Sequence, residues 1–285
     1  MGSRLTTSHT TGEESVPRYG VLHQTHAGDA VDQAVESIRL IGYAVVHSRY
    51  DAAGIDRLGK AFDHVKEALY ARHGGRAALA EIDEHNTIRA PLALDRTFLE
   101  LACDPTVLAV AHRLIGDYIV LNQQNGIVNP PGGERYNQAA FHRDLPFQHF
   151  VSSRSLAVNA LFCLDEFSAE NGATCVVPGS HKQEAFPSDA TVRALQVQVS
   201  APAGSFIVLD GLLYHSGGVN RTERPRRAVN HLYTVPIIRP QLDLPGVLGD
   251  DYTPDPDLRR LLGYELRVPA SIEAYYAKRR RQLGK

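Results

Sequence analysis

The sequence predicts a mainly β fold with flanking helices, a β-sandwich or jelly roll wrapped by N-terminal helical segments. Three observations predict it. Hydrophobic residues follow helical spacing through the first third and switch to short apolar runs from Tyr118 onward. Glycine- and proline-rich turns separate those runs as far as Pro236. Neither a repeat nor a linker divides the chain, whose 285 residues suffice for one large core. The expected organisation is a disordered tail over 1–14 and a single domain over 15–285. That domain comprises a mostly helical wrap (15–117), a jelly-roll core (118–236) and a C-terminal tail with short helices (237–285).

The elements follow in order. Val31, Ala34, Val35 and Ile38 mark a helix ending at Gly42, a C-cap residue. Tyr43–His47 reads as a strand. Asp51 caps a longer helix reaching about His73, with Ile55, Leu58, Phe62, Val65 and Leu69 on one stripe and Gly74-Gly75 closing it. Short helices are expected near Arg96–Ala102 and Pro105–Leu114, the second opened by Asp104 as cap and proline at its first position. Strands then follow at 118–128, 156–164, 173–177, 197–200, 205–209 and 227–235, with a hairpin-type turn at Asn171-Gly172 and a sharp turn at Pro178–His181. Short helices near Asp255–Leu262 and Ser271–Gln282 complete the chain.

Composition narrows the function. Hydrophobic content of 43%, charged content of 22% and a net charge of −2 describe an ordinary globular protein with no field to recruit nucleic acid or an acidic membrane. No apolar run approaches a membrane span, and Met1–Glu14 has no hydrophobic stretch for secretion. The cysteines Cys103, Cys163 and Cys175 are odd in number and fit no zinc spacing, so they are expected reduced, in the cytoplasm. The oligomeric state is not legible.

The run Phe141-His142-Arg143-Asp144-Leu145-Pro146 is the most informative segment. Residues two apart on an extended strand project from one face, so His142 and Asp144 can share a metal. His215, in Leu213-Tyr214-His215-Ser216-Gly217-Gly218, supplies a third ligand from a distant strand. Two imidazoles and one carboxylate leave the remaining positions of an octahedral ion open, the ligand pattern of non-haem Fe(II) oxygenases. Arg226 follows within a turn-and-return distance of His215, where its planar fork could clamp a carboxylate held at the metal.

Tyr118–Val235 resembles the phytanoyl-CoA dioxygenase family of Fe(II)- and 2-oxoglutarate-dependent oxygenases. The resemblance rests on His142-x-Asp144-Leu145, on Glu170-Asn171-Gly172 leading into Val177-Pro178-Gly179-Ser180-His181-Lys182, and on His215-x-x-Gly218-x-Asn220-x-Thr222-x-x-x-Arg226. It implies a double-stranded β-helix, with iron on His142, Asp144 and His215 and the distal carboxylate of 2-oxoglutarate on Arg226. It further implies O2-dependent decarboxylation to succinate coupled to oxidation of a substrate C–H. By strand alignment with the family, Gln124 and Asn159 fall near the cosubstrate pocket, and Leu161 stands where some members carry an aromatic residue. A carboxylate at Asp144, where related halogenases have a small residue, implies oxygen chemistry rather than chlorination.

The expected substrate is a small natural product. The segment Arg143–Phe150 is similar to an aminoglycoside-oxidising branch of the family, whose reaction replaces an amine by a ketone. Glu134, Asp250 and Asp251 are candidate rim carboxylates for such a polycation. Other readings remain open: hydroxylation of a different secondary metabolite or amino-acid derivative, a cupin-like metal enzyme without 2-oxoglutarate chemistry, and a non-catalytic binding jelly roll. Among the other histidines, His149 and His181 read as structural, and His231 as a residue lining the barrel.

Overall fold

The computed structural model describes residues 16–25, 27–134 and 136–284; the tail expected over 1–14 lies outside them. The N-terminal layer begins with α1 (Ala30–Ile41), capped by Asp29 and ended by Gly42 in the left-handed region (φ 94°). Strand β1 (Tyr43–His47) and α2 (Ala52–Arg72) follow, the latter capped by Asp51 and burying Leu58, Phe62 and Val65. Gly74 does close α2, but its left-handed turn also starts α3 (Gly75–Ala80), which leads to β2 (Thr87–Arg89). Helices α4 (Thr97–Ala102) and α5 (Pro105–Ile115) match their expected positions, with Asp104 accepting from Thr106 and Val107.

The β core comprises β3 (Val120–Asn129), β4 (Ala157–Cys163), β5 (Cys175–Val176), β6 (Val197–Gln198), β7 (Ser205–Asp210), β8 (His215–Ser216) and β9 (Arg226–Thr234), with α6 (Asp189–Leu195) between β5 and β6. Beyond β9 come α7 (Leu244–Leu248), α8 (Pro256–Leu261) and α9 (Ile272–Gln282). Among the described residues no helix is long and apolar enough to cross a membrane.

Two sheets face each other as a double-stranded β-helix. The large one has the order β1-β7-β4-β9-β3-β2, and the small one β6-β5-β8. A jelly roll needs two faces of every long strand to be committed, and β9 shows how the sequence does this. Val229 and Tyr233 pack into the apolar core shared with α1, α2, α4 and α5, while Ala228 and Leu232 turn toward the small sheet. The same alternation runs along β4, where Val158, Ala160 and Phe162 face the helices and Cys163 faces the roll interior. Helices that bury one side of the large sheet thus leave its other side to line a cavity.

Strands β2 and β8 and the short helices α3, α6 and α7 were not apparent in the sequence, whereas α4, α5, α8 and α9 fall where they were expected. The two residues of β8 have no alternation to read, and they pair because His142 and β5 flank them.

Candidate metal centre and cosubstrate cavity

His142 lies on neighbouring chain to β8. Its N–H donates to the His215 carbonyl at 2.8 Å, and the His215 N–H donates back at 3.0 Å. This two-way bridge sets the imidazoles side by side with centroids 4.5 Å apart. Asp144 is held in turn by its own N–H, which donates to the Gly211 carbonyl at 3.0 Å. Its Oδ1 stands 3.7 Å from Nε2 of both His142 and His215. One ligand atom from each of the three lies within 4.8 Å of the others, close enough to share one ion.

The remaining polar atoms fix the ligand chemistry. Nδ1 of His142 bonds the Ala140 carbonyl and Nδ1 of His215 the Leu213 carbonyl, each at 2.9 Å. A carbonyl only accepts, so each Nδ1 carries the proton and each Nε2 presents a lone pair to the centre. Burial pushes the His215 imidazole below its ordinary range, against the opposing pull of the Asp144 carboxylate, which favours the neutral form that a metal binds. On the carboxylate, Oδ2 accepts from Asn159 Nδ2 at 2.9 Å, leaving Oδ1 toward the histidines. The three donors suit a divalent transition ion such as iron.

Arg226 opens β9 and lines the same cavity as His142, His215, Asn159 and Leu161. Its guanidinium carbon sits 3.8 Å from the centre of the Phe167 ring, and Nε donates to the Asn171 carbonyl at 3.3 Å. The side chain is 3% exposed, and among the described residues no carboxylate forms an ion pair with it. Burial lowers its pKa from the usual arginine value, countered chiefly by the hydroxyl of Tyr136. Among the described residues this buried cation therefore lacks an anionic partner of its own.

The cavity needs glycine at its wall. A side chain at Gly217 would run into the Tyr136 hydroxyl, and one at Gly172 (φ 76°) into the Gly218 carbonyl.

Not every predicted residue reaches this site. Gln124 faces the helices: its Nε2 donates to the Phe98 carbonyl at 2.7 Å and its Oε1 accepts from the Leu92 N–H at 3.1 Å. The expectation that it lines the cosubstrate pocket is therefore corrected. It pairs with His231 across β3 and β9, and both residues fall on the helix side. His231 likewise does not line the roll. It is fully buried, bonds the Ala160 carbonyl at 3.0 Å through Nδ1, and is pushed down to about 4 by burial. Two of the three candidate rim acids are also already paired, and only Asp251 is without an ion pair among the described residues. Glu134 pairs with Arg76 at 3.2 Å, and Asp250 pairs with Arg267 at 3.4 Å. Burial pushes the Cys163 thiol up to about 12, so it is no nucleophile at neutral pH.

Three residues at or near the site carried no signal in the motif reading. Tyr136 comes from an irregular loop. Asn230 lies four positions after Arg226, and counting in twos along β9 would have found it. Arg143, between the two motif ligands, turns away from them and is itself buried, stacking 4.6 Å from the Phe186 ring and donating to the Gln148 carbonyl at 2.7 Å. It fastens the ligand loop to the segment after β5, with His149 packed edge-on to Phe186 at 5.1 Å.

Fold and donor set fit a non-haem iron oxygenase, and with the family match that follows they make the protein an Fe(II)- and 2-oxoglutarate-dependent dioxygenase, an oxidoreductase. Comparison with known proteins carries this to the family. The model of the phytanoyl-CoA dioxygenase (PhyH) family matches residues 38–228, and the chain belongs to that family. It is 31% identical over 253 residues to the uncharacterized protein Rv1501 of Mycobacterium tuberculosis, covering 87% of this chain and 92% of that one. It is 25% identical over 224 residues to the iron/alpha-ketoglutarate-dependent dioxygenase ausO of Aspergillus calidoustus, covering 75% and 70%. Among solved structures it resembles EctD from S. alaskensis with 2-oxoglutarate and 5-hydroxyectoine, with a TM-score of 0.61 at 23% identity over 85% of this chain and 87% of that one.

Proposed function

We propose that this dioxygenase holds Fe(II) on His142, Asp144 and His215, seats the distal carboxylate of 2-oxoglutarate on Arg226, and oxidises a C–H bond of a small natural product. One observation carries the reading: a buried guanidinium, without a carboxylate partner among the described residues, opens into the cavity that the two imidazoles line. Iron, 2-oxoglutarate and O2 would supply the oxidising power, with succinate and carbon dioxide as co-products. The chain's own part is geometric. His142 and His215 keep their tautomers through backbone carbonyls, Asn159 orients Asp144, and Arg226 with Tyr136 recognises a dicarboxylate of one length.

The substrate class we favour is an aminoglycoside or related amino sugar from antibiotic biosynthesis, acting in the cytoplasm. Hydroxylation of the carbon bearing an amine gives a carbinolamine, which loses ammonia to leave a ketone. Support comes from the Arg143–Phe150 segment, since two of the three rim acids proposed for a polycation, Glu134 and Asp250, are engaged by the protein's own arginines. Purified protein supplied with ferrous iron, 2-oxoglutarate and O2 is to be screened against aminoglycosides and smaller amino sugars, measuring succinate and ketone together. Stoichiometric formation of both supports the reading. Succinate with another metabolite but none with amino sugars moves the substrate elsewhere. Iron binding with no 2-oxoglutarate binding would leave a cupin-like metal protein instead.

A further inference from the structure

The face of the large sheet that looks into the roll carries three buried asparagines on adjacent strands: Asn159 on β4, Asn230 on β9 and Asn125 on β3. Asn125 stands directly opposite Asn230 across β3 and β9. Asn159 is opposite Leu232, the next inward residue of β9, so it is the diagonal neighbour of Asn230 on the same face. The three are 3%, 2% and 7% exposed for Asn125, Asn159 and Asn230. In each, the side-chain carbonyl Oδ1 is buried and accepts no hydrogen bond. Native interiors leave few such groups, and a cluster of three on one face calls for a cause.

The cosubstrates cannot supply it. At neutral pH 2-oxoglutarate is a dianion that only accepts hydrogen bonds, and dioxygen has no proton to give. Carbonyl oxygens facing them would stay unpaired. For Asn159 the orientation is not in question: its Nδ2 is committed to the Asp144 carboxylate, which can only accept, so the oxygen is the atom that points away. Asn125 likewise directs Nδ2 to Gln123 Oε1 at 3.3 Å. What this wall lacks is donors.

We infer that Asn125, Asn159 and Asn230 form an acceptor wall that recognises the N–H and O–H groups of a polyhydroxylated or amino-bearing substrate. This rests on the function proposed above and adds residues and a chemical class to it. Asn159 thereby has two partners, orienting Asp144 through its nitrogen and meeting substrate through its oxygen.

The test uses the full chain loaded with diamagnetic Zn(II) and 2-oxoglutarate, with ligand-observed NMR against two fragment sets. One contains glucosamine, 2-deoxystreptamine and myo-inositol. The other contains size-matched cyclic ethers, ketones and esters without N–H or O–H. Binding should concentrate in the first set. Asn230→Leu, of matching size, should weaken it about five- to tenfold, as expected for one lost neutral hydrogen bond, and Asn125→Leu should do the same. Asn230→Thr, which keeps an acceptor oxygen, should retain part of the affinity and guards against a Leu variant that fails to fold. Affinity for 2-oxoglutarate, measured in the same samples, should not change. Equal or stronger binding of the donor-free set, no binding across the donor set, or indifference to both Leu variants would overturn the wall. So would loss of 2-oxoglutarate binding in Asn230→Leu, which would assign that residue to the cosubstrate. If the wild-type protein itself fails to bind 2-oxoglutarate, the proposed function fails rather than the wall.

Discussion

Replacing Arg226 by Met removes a charge while keeping an unbranched stem against Phe167, whose ring lies 3.8 Å from the guanidinium carbon. The guanidinium is 3% exposed, so a carboxylate docking on it leaves water and gains two charge-assisted bonds at once. At roughly 1.5 kcal/mol for each bond to a charged group, the pair is worth about 3 kcal/mol, or roughly a hundredfold in affinity. Iron binding should survive, because Arg226 supplies no ligand atom to the triad. Stability should also behave unusually for a core substitution. The ligand-free protein loses a buried cation with no ion-pair partner among the described residues, which offsets the two polar contacts left by Tyr136 and Asn171, so melting should shift by only a few degrees. Anaerobic calorimetric titration of 2-oxoglutarate into metal-loaded wild type and Arg226→Met measures the first effect, and thermal unfolding the second. Cosubstrate affinity within threefold of wild type would remove Arg226 from the site, and concurrent loss of metal would mean that the substitution acts through the fold.

Further outcomes follow from the metal side and from the helix-facing core. Asp144→Ala should abolish oxidation and lower metal affinity by orders of magnitude, measured by metal competition with a chelating dye; wild-type turnover would contradict the triad. Asn159→Leu should cost about ten- to a hundredfold in metal affinity, because Asp144 Oδ2 loses its only side-chain donor among the described residues, while overall stability stays near wild type. His231 should govern part of the acid sensitivity. Its folded pKa is about 4 against about 6.5 when unfolded, so the neutral form stabilises the fold above pH 6.5 and that contribution fades as pH falls toward 4. Between pH 8 and pH 5 the loss is about 2 kcal/mol, from 1.36 kcal/mol per unit over the roughly 1.5 units below 6.5. Urea unfolding of wild type and His231→Asn at both pH values should show a smaller drop in the variant; equal drops would exclude His231 as the source.

Much of the architecture is local information, and the sequence states it. Caps at Asp51 and Asp104, the glycine stop at Gly42, and apolar stripes of the proper period place the long helices within a residue or two, while the Asp29 cap of α1 emerged only in the structure. The ligand pair His142-x-Asp144 and the downstream His215 and Arg226 are legible because an extended backbone aligns residues two apart, and a metal restricts which side chains can serve. Interior faces, by contrast, depend on register between strands distant in the chain. A bulge between Leu121 and Gln123 shifts β3 against β9, which turns Gln124 to the helices and Asn125 to the face that looks into the roll. Nothing near Gln124 in sequence announces that slip, and nothing near Asn159 announces its bond to Asp144. Residue types, spacings and caps were thus set by the chain alone. Which of its many buried amides faces the metal was decided only when the two sheets closed on each other, since a one-residue change of register exchanges the faces of a strand.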